Sequence, residues 1–373
     1  MSVEATVQRI WNEERPENRT TPLRAGLCFL SLPYCAAVAM KNRLYDHGIF
    51  RQEKLPCPIV SVGNLTVGGT GKTPTAIFLA NLLREKGRRP VVLSRGYGGN
   101  AKAPVNIVSD GNRLLMGWRE AGDEPVLIAK SAPGVPVLTG PKRFLTGRVA
   151  VEHFGADVLI LDDAFQHRAL FRNLDILLVD AALPFGNGFL LPRGPLREPQ
   201  GALSRAHLVI RTGGSGETEQ PLPGAPSLPS FRGIHRPQGL VEAGTDRALP
   251  LAELQGEKVC AFSGIASPEA FRGSLTVLGA AVVAFRAFPD HHPYGPSDLD
   301  ALRRLAGESG AKRIVTTEKD GVRLADFPVF LAEVSLLRIG MEITPAEPFA
   351  ELIFAGLAGH SSRPSRGICN HEV

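Results

Sequence analysis

The chain has 373 residues, 43% hydrophobic and 21% charged, with a formal net charge of +5. These values describe a folded protein long enough for two domains and exclude a disordered or fibrous chain. Mild basicity suits an anionic partner such as a nucleotide, a phospholipid surface or nucleic acid. No Lys/Arg run interleaved with aromatics marks a nucleic-acid groove, so no nucleic-acid partner is expected.

Residues 1–22 are polar and charged and read as a weakly ordered leader. A membrane-associating helix region, 23–56, follows. Its segment Ala25–Met40 carries no charge, with Arg24 before it and Lys41 and Arg43 after it. It falls short of the roughly 20 apolar residues of a straight span. Glu4, Glu13, Glu14 and Glu17 upstream do not suit a secretory signal. The segment also lacks the mixed polar face of a buried helix, which stays the alternative. The expectation is an anchor embedded in or resting on a membrane, its basic flanks facing anionic lipid on the cytoplasmic side. Cys28, Cys35, Cys57, Cys260 and Cys369 are scattered, with no Cys-x-x-Cys pair. That argues for a reducing compartment and against a disulfide framework or a structural zinc site.

Residues 57–212 alternate short apolar runs with helical patterns. Strands are predicted at Ile59–Gly63, Pro90–Ser94, Val135–Leu138, Val158–Asp162, Ile176–Asp180 and Leu208–Arg211. Helices are predicted at Pro74–Lys86, Glu124–Lys130 and Lys142–His153. Near-continuous apolar strands between helices imply an α/β fold with a parallel sheet covered on both faces. Between the first strand and first helix lies Thr66-Val67-Gly68-Gly69-Thr70-Gly71-Lys72-Thr73. Strand, glycine-rich turn, Gly-Lys-Thr and helix is the phosphate-binding loop of P-loop NTPases. Glycines let backbone N–H groups curl around phosphate oxygens, Lys72 reaches the β- and γ-phosphates, and the Thr73 hydroxyl can hold Mg²⁺. Thr66 stands where the pattern usually begins with glycine.

Gly122-Asp123-Glu124-Pro125 opens a helical pattern, where Asp123 is either an N-cap or an acid held over the phosphate site. The strand ending in Asp162-Asp163 suits a carboxylate near Mg²⁺. Adjacent strand residues face opposite ways, so one of the pair is expected to act through water or to orient a neighbour. Gln166 and His167 follow at once. Residues 213–257 read as a linker and connecting segment, rich in Gly, Pro and Ser over Gly213–Pro229. Residues 258–358 read as a smaller C-terminal α/β lobe. Its predicted strands are Val259–Gly264, Val282–Phe285 and Ile314–Thr317, and its helices Pro268–Gly279 and Ser297–Gly307. Pro289-Asp290-His291-His292-Pro293-Tyr294 ends one of these strands and reads as a proton-transfer unit, a surface pair or a metal site. The last stretch, 359–373, reads as a disordered tail.

Taken together, the motifs resemble the tetraacyldisaccharide 4′-kinase family, the lipid A kinases of Gram-negative bacteria. The matching pieces are Ser61–Pro74, Leu93–Gly98, Gly122–Pro125, Leu161–Arg168, Leu191–Pro199, Phe262–Ile265, Phe288–His291 and Thr316–Asp320, in order from the apolar helix to beyond Lys319. The Thr66 departure fits, because the family carries Ser or Thr there. The resemblance implies a membrane-associated two-lobed kinase. It implies transfer of the γ-phosphoryl group of ATP to the 4′-hydroxyl of an acylated glucosamine disaccharide 1-phosphate, at the cytoplasmic face of the inner membrane, with no required protein partner.

By resemblance, Asp123 is the base, His291 its dyad partner, and Lys72 a catalytic cation. Thr66, Val67, Gly68, Gly69, Thr70, Gly71, Lys72 and Thr73 hold ATP, while Thr73, Asp162 and Asp163 serve Mg²⁺. Asn64, Arg95, Tyr97, Arg143, Gln166, His167 and Arg197 face the substrate. Ala164 replaces the glycine usual after the acid pair, and Lys142-Arg143 stands where Asp-Arg is common. Two rival classes are a P-loop GTPase or metal-insertion factor and a membrane-bound scaffold that binds ATP without turnover. Thr317-Glu318-Lys319-Asp320 lacks the spacing of a guanine signature, and no Cys/His-rich metal tract is present.

Overall fold

The computed structural model describes residues 3–13, 21–213 and 222–358. The leader, expected to be weakly ordered, carries helix α1 (Val3–Trp11). Its end is pinned by Trp11 Nε1 donating to the Pro192 carbonyl at 2.9 Å and by Asn187 Nδ2 donating to the Ile10 carbonyl at 3.0 Å. Helix α2 (Pro22–Asp46) starts on a Thr21 cap with Pro22 in its first turn, where a missing N–H costs nothing. Residues 214–221 of the Gly213–Pro229 stretch and the whole 359–373 tail lie outside the described residues.

The first lobe runs β1 (Ile59–Asn64), α3 (Lys72–Glu85), β2 (Pro90–Ser94), β3 (Asn106–Ser109), α4 (Trp118–Ala121), α5 (Asp123–Ser131), β4 (Val137–Thr139), α6 (Arg143–Phe154), β5 (Val158–Asp162), β6 (Leu174–Asp180) and β7 (Leu208–Thr212). Then come β8 (Ser230–Glu242) and β9 (Arg247–Leu249). The chain continues with β10 (Lys258–Ser263), α7 (Pro268–Val277), β11 (Ala281–Ala287), α8 (Pro296–Glu308), β12 (Arg313–Thr317), α9 (Glu318–Arg323), α10 (Pro328–Leu331) and β13 (Val334–Thr344), and the last helix, α11 (Ala346–Ala358), packs Phe349, Ile353 and Leu357 back into the cluster of Val60 and Leu79 in the first lobe.

One sheet runs through both lobes. The strand order is β11-β10-β12-β13-β8-β7-β6-β1-β5-β2-β4-β3, with β9 paired to β8. β1 lies between β5 and β6 and is parallel to both. Every residue of β1, β2 and β5 is buried. One face packs Val60, Val62 and Ile160 with Leu79 and Leu83 of α3, and the other packs Ile59, Leu93 and Leu159 with Ala150 of α6. Two apolar faces explain why these strands read as unbroken hydrophobic runs.

The 213–257 segment, expected as a linker, contains the strand that joins the lobes. β8 pairs in parallel with β7 and antiparallel with β13. Gly233, Gly239 and Pro237 weaken its strand signal in sequence, and pairing on both sides supplies what local propensity lacks. Pro237 sits beside a register irregularity in the β8–β13 ladder, where a missing donor is tolerated.

α2 is not a buried helix. Ser31 is its single fully buried residue, while Phe29, Leu30, Leu32 and Met40 are exposed. The helix is long and apolar enough to cross a membrane, with a mean hydropathy of 1.5 over its most apolar 18-residue window. The opposite side docks through polar contacts. Tyr34 Oη donates to the Arg197 carbonyl at 2.9 Å, Lys41 Nζ to the Gln166 carbonyl at 3.0 Å, and Arg168 to Asp46 at 2.7 Å.

Candidate active site

β1 delivers the chain to the glycine-rich loop at the carboxyl end of the sheet, and α3 leaves from it. Gly71 caps α3 at φ +87°, and a Cβ there would stand 2.8 Å from His235 Nε2, so only glycine fits both the turn and the approach of β8. Lys72 Nζ reaches back to the Gly68 carbonyl at 3.3 Å. Val67, Gly68, Gly69, Thr70, Gly71, Lys72 and Thr73 line one wall of a cleft of about 1810 Å³ between the lobes. A site for a single small ligand is typically about 300–1,000 Å³, so this cleft has room for a nucleotide and a second, bulky substrate.

Three residues of the expected set, Thr66, Asn64 and Asp123, are not among those that line the cleft. Thr66 does not line the cleft; it pairs with Leu196 on the loop's far side. Asn64, expected to face the substrate, is fully buried behind the loop. As the last residue of a central strand, it donates from Nδ2 to Thr70 Oγ1 at 3.0 Å, and its carbonyl accepts from Gln166 Nε2 at 2.8 Å. Asn64 and the Gln166 amide therefore hold the loop's shape.

β5 places Asp162 against Val62 of β1, so its carboxylate emerges beside the loop. Asp162 is buried, and neither carboxylate oxygen has a hydrogen-bond partner. Burial, with Glu124 and Asp163 nearby, pushes its pKa up to about 8 against the pull of Lys72 and Arg143. Asp163 has left the strand at φ +46° and pairs with Arg197 at 3.0 Å. The two acids thus divide because the strand ends between them, one buried at the loop and one paired with an arginine. Thr73, in the first turn of α3, is also largely buried.

Asp123 is the first residue of α5, capped by Gly122 rather than acting as the cap. Gly122 is at φ +92°, and a Cβ there would stand 2.3 Å from the Tyr97 carbonyl. Its bareness lets the Arg95–Tyr97 turn pack against the start of α5. Asp123 is 5% exposed, and its Oδ2 lies 2.9 Å from His291 Nδ1. Burial works to raise its pKa, but the His291 hydrogen bond, Lys319 and Arg323 outweigh it and hold the carboxyl below its ordinary value. The hydrogen bond to Asp123 raises the His291 pKa, against burial and Lys319. His291 itself sits at φ +57°, with its N–H bonded to the Gly264 carbonyl at 3.2 Å. A non-glycine residue held there is a strained position of the kind found at functional sites. The neighbouring His292 turns away to Asp298 at 3.0 Å.

Arg95, Tyr97, Arg143, Gln166, His167 and Arg197 also line the cleft. Arg143 is buried, donates to the Gly140 carbonyl at 3.0 Å, and is pushed down to about 10 by burial and Arg95. His167 is pushed down to about 4 by burial and by Arg143 and Arg172, which leaves it a neutral hydrogen-bonding group near pH 7. Several cleft residues carry no individual sequence signal. Glu124 and Lys319 both line the cleft and pair at 3.5 Å. Glu198 is buried against Arg205 at its rim. Each lies inside a motif singled out above, but motif membership does not say which side chain turns inward.

The chain matches the family model described as tetraacyldisaccharide-1-P 4′-kinase over residues 23–357. It is 52% identical to a tetraacyldisaccharide 4′-kinase of Syntrophus aciditrophicus, over 95% of this chain and 98% of that one. It is 46% identical to one of Anaeromyxobacter dehalogenans, over 85% and 86%. Its fold is similar to a crystal structure of the apo form of LpxK from Aquifex aeolicus in complex with ATP. The TM-score is 0.74 at 35% identity, covering 90% of this chain and 99% of that one. Matched along nearly its whole described length, the chain belongs to the tetraacyldisaccharide-1-phosphate 4′-kinase family.

Proposed function

We propose that the chain moves the γ-phosphoryl group of ATP to the 4′-hydroxyl of a tetraacylated glucosamine disaccharide 1-phosphate, with Asp123 as the base. The observation that carries the reading is the 2.9 Å contact of Asp123 with His291, a residue that lines the same cleft as the phosphate loop. As the sugar oxygen bonds to the γ-phosphorus, its proton passes to the Asp123 carboxylate. The bond from that phosphorus to the β–γ bridging oxygen breaks, and ADP leaves. A sugar hydroxyl has a high pKa, so a positioned base is typically worth about 10²–10⁴-fold. His291 orients the carboxylate and shares its titration. Lys72, Arg95 and Arg197 neutralise phosphate charge, the main demand of phosphoryl transfer.

The donor set fits Mg²⁺. A buried carboxylate with two unpartnered oxygens and raised proton affinity is suited to a hard divalent cation. Thr73 and Asp162 would hold the ion, with Asp163 in its surroundings. When bound, Mg²⁺ supplies charge neutralisation at the β- and γ-phosphates.

α2 supports a place at the cytoplasmic face of the inner membrane of a Gram-negative bacterium. Its exposed Phe29, Leu30 and Leu32 are suited to lipid, while Tyr34 is hydrogen-bonded to the Arg197 backbone at the cleft. A substrate with four acyl chains stays in the bilayer. An anchored cleft therefore searches a plane for it.

Incubation of the purified chain with labelled ATP, Mg²⁺ and the acylated disaccharide tests the reading. Label is expected on the lipid, at a rate cut by Asp123→Ala. No lipid labelling, or a strong preference for GTP, would overturn it.

A further inference from the structure

Helix α9 brings two cations, four positions apart, to the dyad from the second lobe. Arg323 is 1% exposed. Its guanidinium donates to Asp320 Oδ1 at 2.6 Å, to the Gly264 carbonyl at 2.7 Å and to the His292 carbonyl at 3.3 Å, and its Nε lies 3.6 Å from Asp123 Oδ2. Asp320 also accepts from the Tyr294 hydroxyl at 2.6 Å and from the Gly264 N–H at 2.9 Å. This buried network ties the Gly264 turn and the His292–Tyr294 segment to α9.

Lys319 is placed differently. Its ammonium group faces three acceptors: Asp290 Oδ1 at 3.3 Å, His291 Nε2 at 3.3 Å and Glu124 Oε1 at 3.5 Å. An ammonium group has three donors and no lone pair. Its approach to Nε2 is favourable only when that nitrogen carries the lone pair. The ring proton then sits on Nδ1, directed at Asp123.

We propose that Lys319 is a positioning residue of the transfer site, fixing His291 as the Nδ1–H tautomer and tying the dyad to α5 across the cleft. The inference rests on the reading of Asp123 as the base. Glu124 follows Asp123 in α5, so one lysine grips the helix that carries the base and the loop that carries its partner. The groups facing the dyad are Asp123 and Glu124 from α5, Asp290 from the histidine's own loop, Lys319 and Arg323 from α9, and the Tyr97 ring, 6.1 Å from the His291 ring. A cation beside Nε2 also opposes protonation of the ring, against the stronger effect of the Asp123 hydrogen bond that favours it. The lysine stays charged itself: burial works against its charge, but Glu124, Asp123 and Asp290 outweigh burial.

The test uses the full chain with ¹⁵N-labelled histidine, in mixed micelles with the acylated disaccharide, ATP and Mg²⁺. Long-range proton–nitrogen correlation spectra of the wild type should show neutral His291 protonated on Nδ1. An Nε2–H tautomer in the wild type overturns the proposal whatever the variants do. In Lys319→Met the imidazolium should persist to higher pH, and the acidic limb of kcat should move up by about one unit. Its kcat should fall about tenfold, with both KM values within about threefold of wild type. Lys319→Arg should restore most of the rate and the limb. A Lys319→Met enzyme with wild-type kcat and limb overturns the proposal. Asp123→Ala, assayed alongside, separates the two readings: retained kcat there removes the base assignment, whereas a loss there with unaltered Lys319→Met removes the lysine alone.

Discussion

Asp123 and His291 stand 168 positions apart in sequence and 2.9 Å apart in space, one carried by the phosphate-loop lobe and the other by the smaller lobe. Neither lobe alone holds both members of the proposed dyad. The contact exists because β8 and β13 make the two lobes one sheet, with Arg338 paired to Gly239 and Met341 to His235 along the seam.

Loss of the base should appear in turnover. Asp123→Ala is expected to lower kcat by about 10²–10⁴-fold while leaving the KM for ATP within about threefold, because the proposed role of the carboxylate is toward the hydroxyl and not the nucleotide. Near-wild-type kcat in steady-state assays would remove Asp123 from this role.

The pH dependence follows from the direction of the shifts. Asp123 is held below 3.8, so its own titration lies outside the neutral range. His291 is raised above 6.5, so its imidazolium forms as pH falls through that higher value and weakens the neighbouring carboxylate as a base. An acidic limb in kcat above pH 6.5 is therefore expected, and His291→Gln should lose it. The same limb in the glutamine variant would assign it to another group.

Lys72→Ala should abolish measurable transfer, a loss of at least about 10²-fold, since it removes a fixed cation from the phosphate wall. Calorimetric titration with ATP should show weakened binding as well. Appreciable activity would mean that the triphosphate lies elsewhere in the cleft.

The sequence was most legible where one local rule decided the outcome. β2 and β5 match their predicted bounds because fully buried parallel strands leave unbroken apolar runs. The phosphate loop was legible because Gly71 and Lys72 sit at a strand-to-helix turn. β8 was not, because Gly233, Pro237 and Gly239 read as loop residues and the strand depends on partners distant in sequence. The same cause hid the site's depth. That Asp163 pairs with Arg197, that Asn64 backs the loop, and that Lys319 reaches His291 are tertiary facts with no local signature.

Asp162 should cost stability in the metal-free protein. Its folded pKa of about 8 exceeds its ordinary 3.8, so the folded state binds the proton more tightly than the unfolded state. Stability is then lost as pH rises from the unfolded value toward the folded one, the reverse of a salt-bridged carboxylate. Asp162→Asn removes the titration. In metal chelator near pH 8, the variant should be more stable than wild type by at least about 1 kcal/mol, read as a higher Tm. Mg²⁺ with ATP should raise the wild-type Tm and leave the variant's nearly unmoved, with transfer activity lost. A variant less stable than wild type in chelator at every pH would show that the carboxylate is satisfied without a cation.

The proposed membrane anchor is best tested on single side chains. Deleting residues 1–43 should release the protein from vesicles, but it also removes Tyr34, whose hydroxyl bonds the Arg197 backbone at the active cleft, so lost activity would have two causes. Phe29 and Leu32 are 74% and 60% exposed and touch the catalytic wall through neither side chain. Phe29→Asp with Leu32→Asp should therefore weaken sedimentation with anionic vesicles by about tenfold or more, since each exchanges buried apolar area for a charge at the lipid interface. The Tm and turnover of a short-chain, micelle-soluble acceptor should hardly change. Transfer to the tetraacyl substrate in vesicles should fall in step with binding. Unchanged sedimentation of the double variant would move the anchor from this face of α2 to another surface.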